Sequence, residues 1–391
     1  MQGKNIAIIA ITYNRIDSLR RLLCSLENAF YSNYNPPLII SIDKSDTDDV
    51  FNFANSYHWP HGNKIIDYHT SNLGLKQHML SLGKWFEEYD AIVVLEDDIV
   101  VSPNFFHYTR QCVNKYFTNS LIAGISLYSF EVNYQTGTPF QPVKNQYDIY
   151  LMSCAMSWGE VWMKNQWLKF YEWYQHNTNF PYSDNLPLSI QRWGSKSWLK
   201  YHTRYCIEQK LYFVFPYFSL STNYSDFGEH NQGGQLTSFQ TNLQRGEKKD
   251  YYLPDDLAKC ICYDGFFENE GLYQILSLTK ENCCIDLCGS RAVLPKRQFY
   301  LTTCKYDLPI LKTYGISYRP IEMNVFQNVP GNGIFLYDAR KARSIKRIES
   351  PKYAMLFNFH INNIISFINQ FGFKNLIRDY LYAFRRKYFK K

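Results

Sequence analysis

The sequence predicts an α/β protein built on a mostly parallel sheet with crossover helices. Two observations carry this. Apolar runs of strand length alternate four times with stretches of helical spacing between Ile6 and Leu95, the pattern of successive strand–helix units. The last run, Ala91-Ile-Val-Val-Leu95, is continuously apolar, as a strand covered on both faces is. It ends in Glu96-Asp97-Asp98. Burying a strand does not call for three adjacent carboxylates, and like charges side by side repel, so a positive group is expected beside them. A divalent cation with a phosphate ester fits, because hard cations take oxygen ligands and are often held by one or two carboxylates plus substrate phosphates. A solvated acidic turn is the plain alternative. The apolar residues on both sides, Ile99-Val-Val101 included, weigh against it.

Taken in order, Ile6–Ile11 reads as the first buried strand. Asp17 or Ser18 caps a helix whose Leu19, Leu22, Leu23 and Leu26 recur at helical spacing. Leu38–Ile42 is a second strand ending in Asp43, residues 47–57 a short helix, and Lys64–His69 a third strand. Asn72-Leu-Gly74 is a turn, with a helix beyond it through Trp85. After the acidic run, Ser102 as cap and Pro103 at the first helical position open a helix to about Phe117. The triplet is thereby placed in a strand-to-helix crossover at the carboxyl edge of the sheet, where open α/β sheets bind ligands. Leu121–Leu127, Tyr147–Ser153 and Leu211–Leu220 read as strands, and residues 160–174 (with Trp162, Trp167 and Trp173) and roughly 193–209 as helices. Residues 221–234 form a loop carrying Asp226 and His230. There is no G-x-G-x-x-G and no G-x-x-x-x-G-K-[ST], so neither a dinucleotide fingerprint nor a P-loop is supported.

Beyond this body, 236–250 reads as a linker rich in Gln, Thr and Lys. Residues 251–350 read as an accessory α/β region with strands at Cys283–Cys288 and Phe299–Cys304 and a helix near Pro309–Tyr314. Residues 351–391 form a tail. Residues 352–391 hold eight Lys or Arg against Asp379, which accounts for the whole net charge of +7. The remaining body is neutral and does not suit a nucleic-acid binder. The tail's stripe of Ile361, Ile364, Ile365 and Ile368 with basic neighbours suits an anionic membrane surface; a helix docked on its own domain is the other reading. The ten Cys lack paired C-x-x-C spacing and read as free, mostly buried thiols. No secretory signal and no apolar stretch of about 20 residues is visible. The expected location is a reducing cytoplasm, with the tail peripheral on the inner face of the membrane.

Three motifs resemble GT-A nucleotide-sugar glycosyltransferases. Ile11-Thr-Tyr-Asn-Arg15 resembles the nucleotide-side loop of family-2-type bacterial enzymes, and Asn72-Leu-Gly74 with Lys76 their uracil- and ribose-side turn. Leu95-Glu-Asp-Asp98 followed by Ser102-Pro-Asn-Phe-Phe106 resembles the corresponding segment of the α-mannoside β-1,2-N-acetylglucosaminyltransferase family, and Ser157-Trp-Gly-Glu160 that family's acceptor-side segment. The resemblance implies a catalytic domain over 1–235. In it Thr12, Asn14, Arg15, Asp43, Asn72, Lys76, Glu96 and Asp97 meet the nucleotide sugar. Asp98 and His230 are the expected ligands of Mn2+ or Mg2+. It implies inverting transfer from a donor, UDP-linked by resemblance, to a glycan or lipid-linked acceptor. The resembling enzymes take their base from a Trp-Asp-Asp-Trp-like stretch. The local match, Trp193-Gly-Ser-Lys-Ser-Trp198, has no carboxylate, so Asp184 is the expected base and Glu160 the second choice. A catalytically inactive module that binds glycan or scaffolds an assembly is the competing reading.

Overall fold

The molecule is described from a computed structural model over residues 3–224, 226, 237–342, 344–349, 368–369, 372–375, 377–378 and 381. The first half follows the predicted alternation: β1 (Ile6–Thr12), α1 (Ile16–Glu27), β2 (Leu38–Ile42), α2 (Asp49–Ser56), β3 (Lys64–Tyr68), α3 (Gly74–Ser81) and β4 (Ala91–Glu96). All seven residues of β1 are buried, because the strand is central and has a helical layer on each face. Ile8, Ala10 and Leu22 belong to one core and Ile9, Ile11 and Met79 to the other.

The chain then forms β5 (Ile99–Val101), α4 (Phe105–Tyr116), β6 (Ile122–Ser126), a small hairpin of β7 (Val132–Asn133) and β8 (Thr138–Pro139), and β9 (Ile149–Met152). Next come β10 (Glu160–Met163), α5 (Lys164–His176), α6 (Leu188–Gln191), α7 (Leu199–Glu208), β11 (Tyr212–Pro216) and β12 (Ser221–Asn223). The C-terminal part adds β13 (Cys262–Tyr263), α8 (Gly271–Leu276), β14 (Cys283–Asp286), β15 (Phe299–Thr302), β16 (Lys305–Tyr306), β17 (Ile310–Tyr314), α9 (Met323–Phe326), β18 (Ile334–Asp338) and β19 (Arg347–Glu349).

The central sheet has nine strands in the order β13-β9-β11-β6-β10-β4-β1-β2-β3. Strands β1 to β4, β6 and β11 run one way; β10 is wedged antiparallel between β4 and β6. This is the mostly parallel, helix-flanked α/β sheet the sequence predicts. The chain moves outward from β1 through β2 to β3, then returns to β4 on the other side of β1. The strand order therefore reverses between β1 and β4, and a crevice opens at their carboxyl ends.

Several expectations are corrected. Glu160–Met163 is a strand rather than a helix start, because its residues complete the sheet between β4 and β6; the helix begins at Lys164. Ile99–Val101 pairs with β12 instead of leading straight into a helix. The helix therefore starts at Phe105 with Asn104 before it, and Ser102 Oγ accepts from the Asn104 N–H at 3.2 Å while donating to the Gln244 carbonyl at 2.5 Å. Pro309–Tyr314 gives the edge strand β17, paired with β18, rather than a helix, in keeping with its β-branched and aromatic residues. Residues 237–250 are not a free linker. Asn104 Nδ2 donates to the Gly246 carbonyl and Lys248 reaches Asp148, so the segment is strapped along α4.

The accessory part has its own sheet, β14-β15-β18-β17, over a core of Leu272, Ile285, Leu301 and Ile334. It does not begin at 251, since β13 extends the central sheet beside β9. The Tyr263 hydroxyl donates to Glu322 at 2.7 Å and Arg291 to Asp264 at 2.9 Å, tying the two sheets together. All ten cysteines are free, and Cys24 differs from the buried-thiol expectation in being exposed. Among the described residues no helix is long and apolar enough to cross a membrane. The tail expected over 351–391, apart from a few positions, lies outside the described residues.

Candidate active site

The site is built from the ends of β1 and β4. Register sets it: Ile11 lies beside Glu96 in the parallel pair, so both chains leave the sheet at the same edge. Asp97 and Asp98 form the turn between β4 and β5. Thr12 Oγ1 donates to Asp97 Oδ2 at 2.8 Å. Arg15, just before α1, donates to Asp97 Oδ1 and approaches Asp98 Oδ2 at 3.4 Å. The positive group expected beside the acidic run is thus Arg15. Asn14 is exposed at the same rim.

A second group lies across the crevice. Asp43, at the end of β2, is buried, and its carboxylate accepts the backbone N–H groups of Leu73 at 2.8 Å, Gly74 at 2.9 Å and Lys44 at 3.0 Å. Asn72 Nδ2 donates to the Lys44 carbonyl at 3.0 Å. Gly74 has φ of +70° and open space where a Cβ would sit, so the turn demands glycine and leaves room for a ligand. Lys76 Nζ reaches the Ser195 carbonyl at 3.0 Å, fastening the 193–197 loop to α3. Asp43 and Asn72 therefore shape the turn by holding backbone.

Burial governs the electrostatics. It pushes the Asp97 carboxyl up to about 6, against the pull of Arg15. It raises Asp98 too, again opposed by Arg15, with Asp226 adding a like charge. Glu96 is raised by burial and by its two neighbours. Asp98 keeps 28 % of its side chain exposed against 4 % for Asp97, so Asp98 is the one able to turn toward a cation. Among the described residues no group of three His, Cys, Asp or Glu side chains is arranged to hold a metal. One carboxylate plus phosphate oxygens from a substrate is the arrangement these residues fit. His230 lies outside the described residues.

The two expected bases are separated. Glu160 is wholly buried on β10. Trp162 Nε1 donates to its Oε2 at 2.9 Å and His202 Nδ1 is 4.0 Å away. Burial raises Glu160 well above the usual carboxylate range and lowers His202 to about 3, disfavouring the charged form of each. A carboxyl sealed in this way cannot meet an acceptor hydroxyl, which removes Glu160 as a base. Asp184 is exposed, in the loop before α6.

No protein-family model and no curated protein matches the chain. Among solved structures, the chain is similar to nucleotide-sugar glycosyltransferases. A Pyrobaculum calidifontis mannosyltransferase in complex with GDP-Man and Mn2+ is 10 % identical with a TM-score of 0.34, over 55 % of this chain and 57 % of that one. A fragment of S. aureus TarS with UDP-GlcNAc is 12 % identical at 0.40, over 59 % and 62 %. GalNAc-T7 with UDP, GalNAc and Mn2+ is 12 % identical at 0.37, over 55 % and 43 %. The chain spans less than two thirds of each. At these scores the likeness carries no argument about residues or substrates, and the functional reading rests on the site itself.

Sequence reasoning missed how α1 joins the site. Ser18 Oγ donates to Asp226 Oδ2 at 2.7 Å, and Arg21 pairs with the same carboxylate while covering the Tyr224 ring. The Tyr224 N–H donates to the Asp98 carbonyl at 2.6 Å. Asp226 is thereby fixed beside the acidic run. The available signal was the spacing of Ser18 and Arg21, three residues apart and so on one helix face.

Proposed function

We propose that this chain is a glycosyltransferase that moves a sugar from a nucleotide-sugar donor, UDP-linked, to a hydroxyl of a glycan or lipid-linked oligosaccharide, with inversion. The observation that carries the reading is Arg15 bridging Asp97 and Asp98 at the strand-order reversal, opposite the open turn framed by Asp43. In this reading the nucleoside lies over the Asn72–Gly74 turn. The diphosphate lies against Arg15, whose guanidinium fork matches phosphate oxygens. Asp97 stays buried and orients Arg15 and Thr12. Asp98 holds the divalent cation, Mn2+ or Mg2+, which when bound offsets charge on the departing diphosphate. Asp184 takes the proton of the acceptor hydroxyl. The setting is bacterial surface polysaccharide synthesis, with the basic tail against the inner face of the membrane.

The test is thermal unfolding with UDP or GDP, each with Mn2+ or with EDTA. A ligand at a hundredfold excess over its Kd stabilises by about 2.7 kcal/mol. UDP and Mn2+ together are expected to raise the Tm, and a matching UDP-sugar to be hydrolysed slowly without acceptor. If no nucleoside diphosphate raises the Tm under either condition, the donor reading falls. Binding with neither hydrolysis nor transfer supports the inactive-module reading instead.

A further inference from the structure

A groove of about 540 Å³ runs along the outer face of α1, and its Arg21 is the residue that pairs with Asp226 beside the acidic run. Its apolar lining includes Cys24, Val100, Pro103 and Leu243, contributed by α1, β5, the turn before α4 and the strap. Arg20, Arg21 and Arg245 also line it, against a single carboxylate, Asp17. Arg20 is paired with Asp17 at 2.9 Å and Arg21 with Asp226. Arg245 is exposed on the strap, and no ion pair with a described residue engages it. The volume lies within the usual range of small-molecule sites, roughly 300–1,000 Å³. An apolar floor beside the Arg245 guanidinium matches an amphiphile with an anionic head, since guanidinium binds phosphate through paired N–H donors.

We infer that this groove takes the phosphate headgroup and the first chain carbons of an anionic membrane lipid. Charge complementarity selects the lipid. The groove is net positive, and residues 352–391 add a net charge of +7 to the same chain, so each favours an anionic surface. That tail cannot itself fill the groove without opposing its charge. The site does not depend on the donor reading, and UDP-dependent stabilisation measured alongside separates the two.

Cys24 supplies the probe, being the exposed one of the ten cysteines and part of the groove floor. The full-length protein is treated with a maleimide, and Cys24 modification is followed by mass spectrometry. Dihexanoyl phosphatidylglycerol below its micellar concentration is expected to slow modification at least tenfold, while glycerol phosphate and dihexanoyl phosphatidylcholine leave it nearly unchanged. Arg20→Glu with Arg245→Glu should raise the lipid concentration that gives half-maximal protection by more than twentyfold, given roughly fivefold in affinity for each basic residue. Arg245→Gln, a single change on an exposed segment, should raise that concentration about fivefold. Failure of the anionic lipid to protect, equal protection by glycerol phosphate, or unchanged protection in both variants would each overturn the site.

Discussion

Asp97→Asn is expected to stabilise the cation-free protein at neutral pH and to have little effect in acid. The Asp97 carboxyl is 3 % exposed, and burial raises its pKa from 3.8 to about 6 despite Arg15 and Thr12. The native carboxyl therefore holds its proton more tightly than the unfolded one. Between pH of about 4 and 6 the native state binds more protons, so stability falls as the pH rises through that window and stays lower above it. A shift of roughly two pKa units corresponds to about 3 kcal/mol. The amide keeps the shape, carries no charge and can still accept from Thr12, but it loses charge-assisted contact with Arg15, which offsets part of the gain. The net expectation is about 1–3 kcal/mol more stability at pH 7.5, shrinking toward zero near pH 4.5. Urea unfolding in EDTA at both pH values measures it. A variant destabilised equally at both would show that Arg15 fully compensates the charge, and the claim that this carboxylate is held at a cost to the fold would be wrong.

Other outcomes follow from the same geometry. Asp43→Ala leaves the Leu73 and Gly74 N–H groups without their carboxylate and should cost about 2–4 kcal/mol, read as a lower Tm together with weaker nucleotide binding. Glu160→Gln replaces a sealed carboxyl, whose pKa burial raises well above the usual carboxylate range, by a neutral isostere, so transfer should stay within about twofold of the parent; a loss of a hundredfold or more, the usual scale for a general base, would restore Glu160 to the chemistry. Asp184→Asn should lower transfer by about 10²–10⁴-fold while UDP still binds, and unchanged transfer kinetics would remove Asp184.

Most of the first 100 residues were legible because β1, β2 and β4 are buried on both faces and α1 carries one apolar stripe, so periodicity and fold agree. The acidic run was legible because its chemistry contradicts strand burial. Periodicity failed where pairing partners come from afar. Glu160–Met163 is a largely apolar stretch that suits either structure, and only the gap between β4 and β6 makes it a strand. Pro309–Tyr314 was misread for the same reason, its partner β18 lying some 20 residues on. Arg15 stood out in the sequence as a nucleotide contact, yet its bridging of two carboxylates depends on the register of β1 against β4. Asp43 appeared as a ligand contact; that its oxygens hold the Leu73–Gly74 backbone could be seen only in three dimensions. The strap at 237–250 looked like a linker because its composition is polar, but its backbone carbonyls are what Ser102 and Asn104 bind.

The central claim is that the carboxyl end of β4 binds a nucleoside diphosphate through a cation at Asp98. Calorimetric titration of UDP into the parent protein and into Asp98→Asn, each with Mn2+ and with EDTA, tests it most directly. The parent is expected to bind UDP with Mn2+ at least tenfold more tightly than in EDTA, and Asp98→Asn to bind weakly in both. Equal UDP affinity in all four titrations, or no binding by the parent in any condition, would contradict the account.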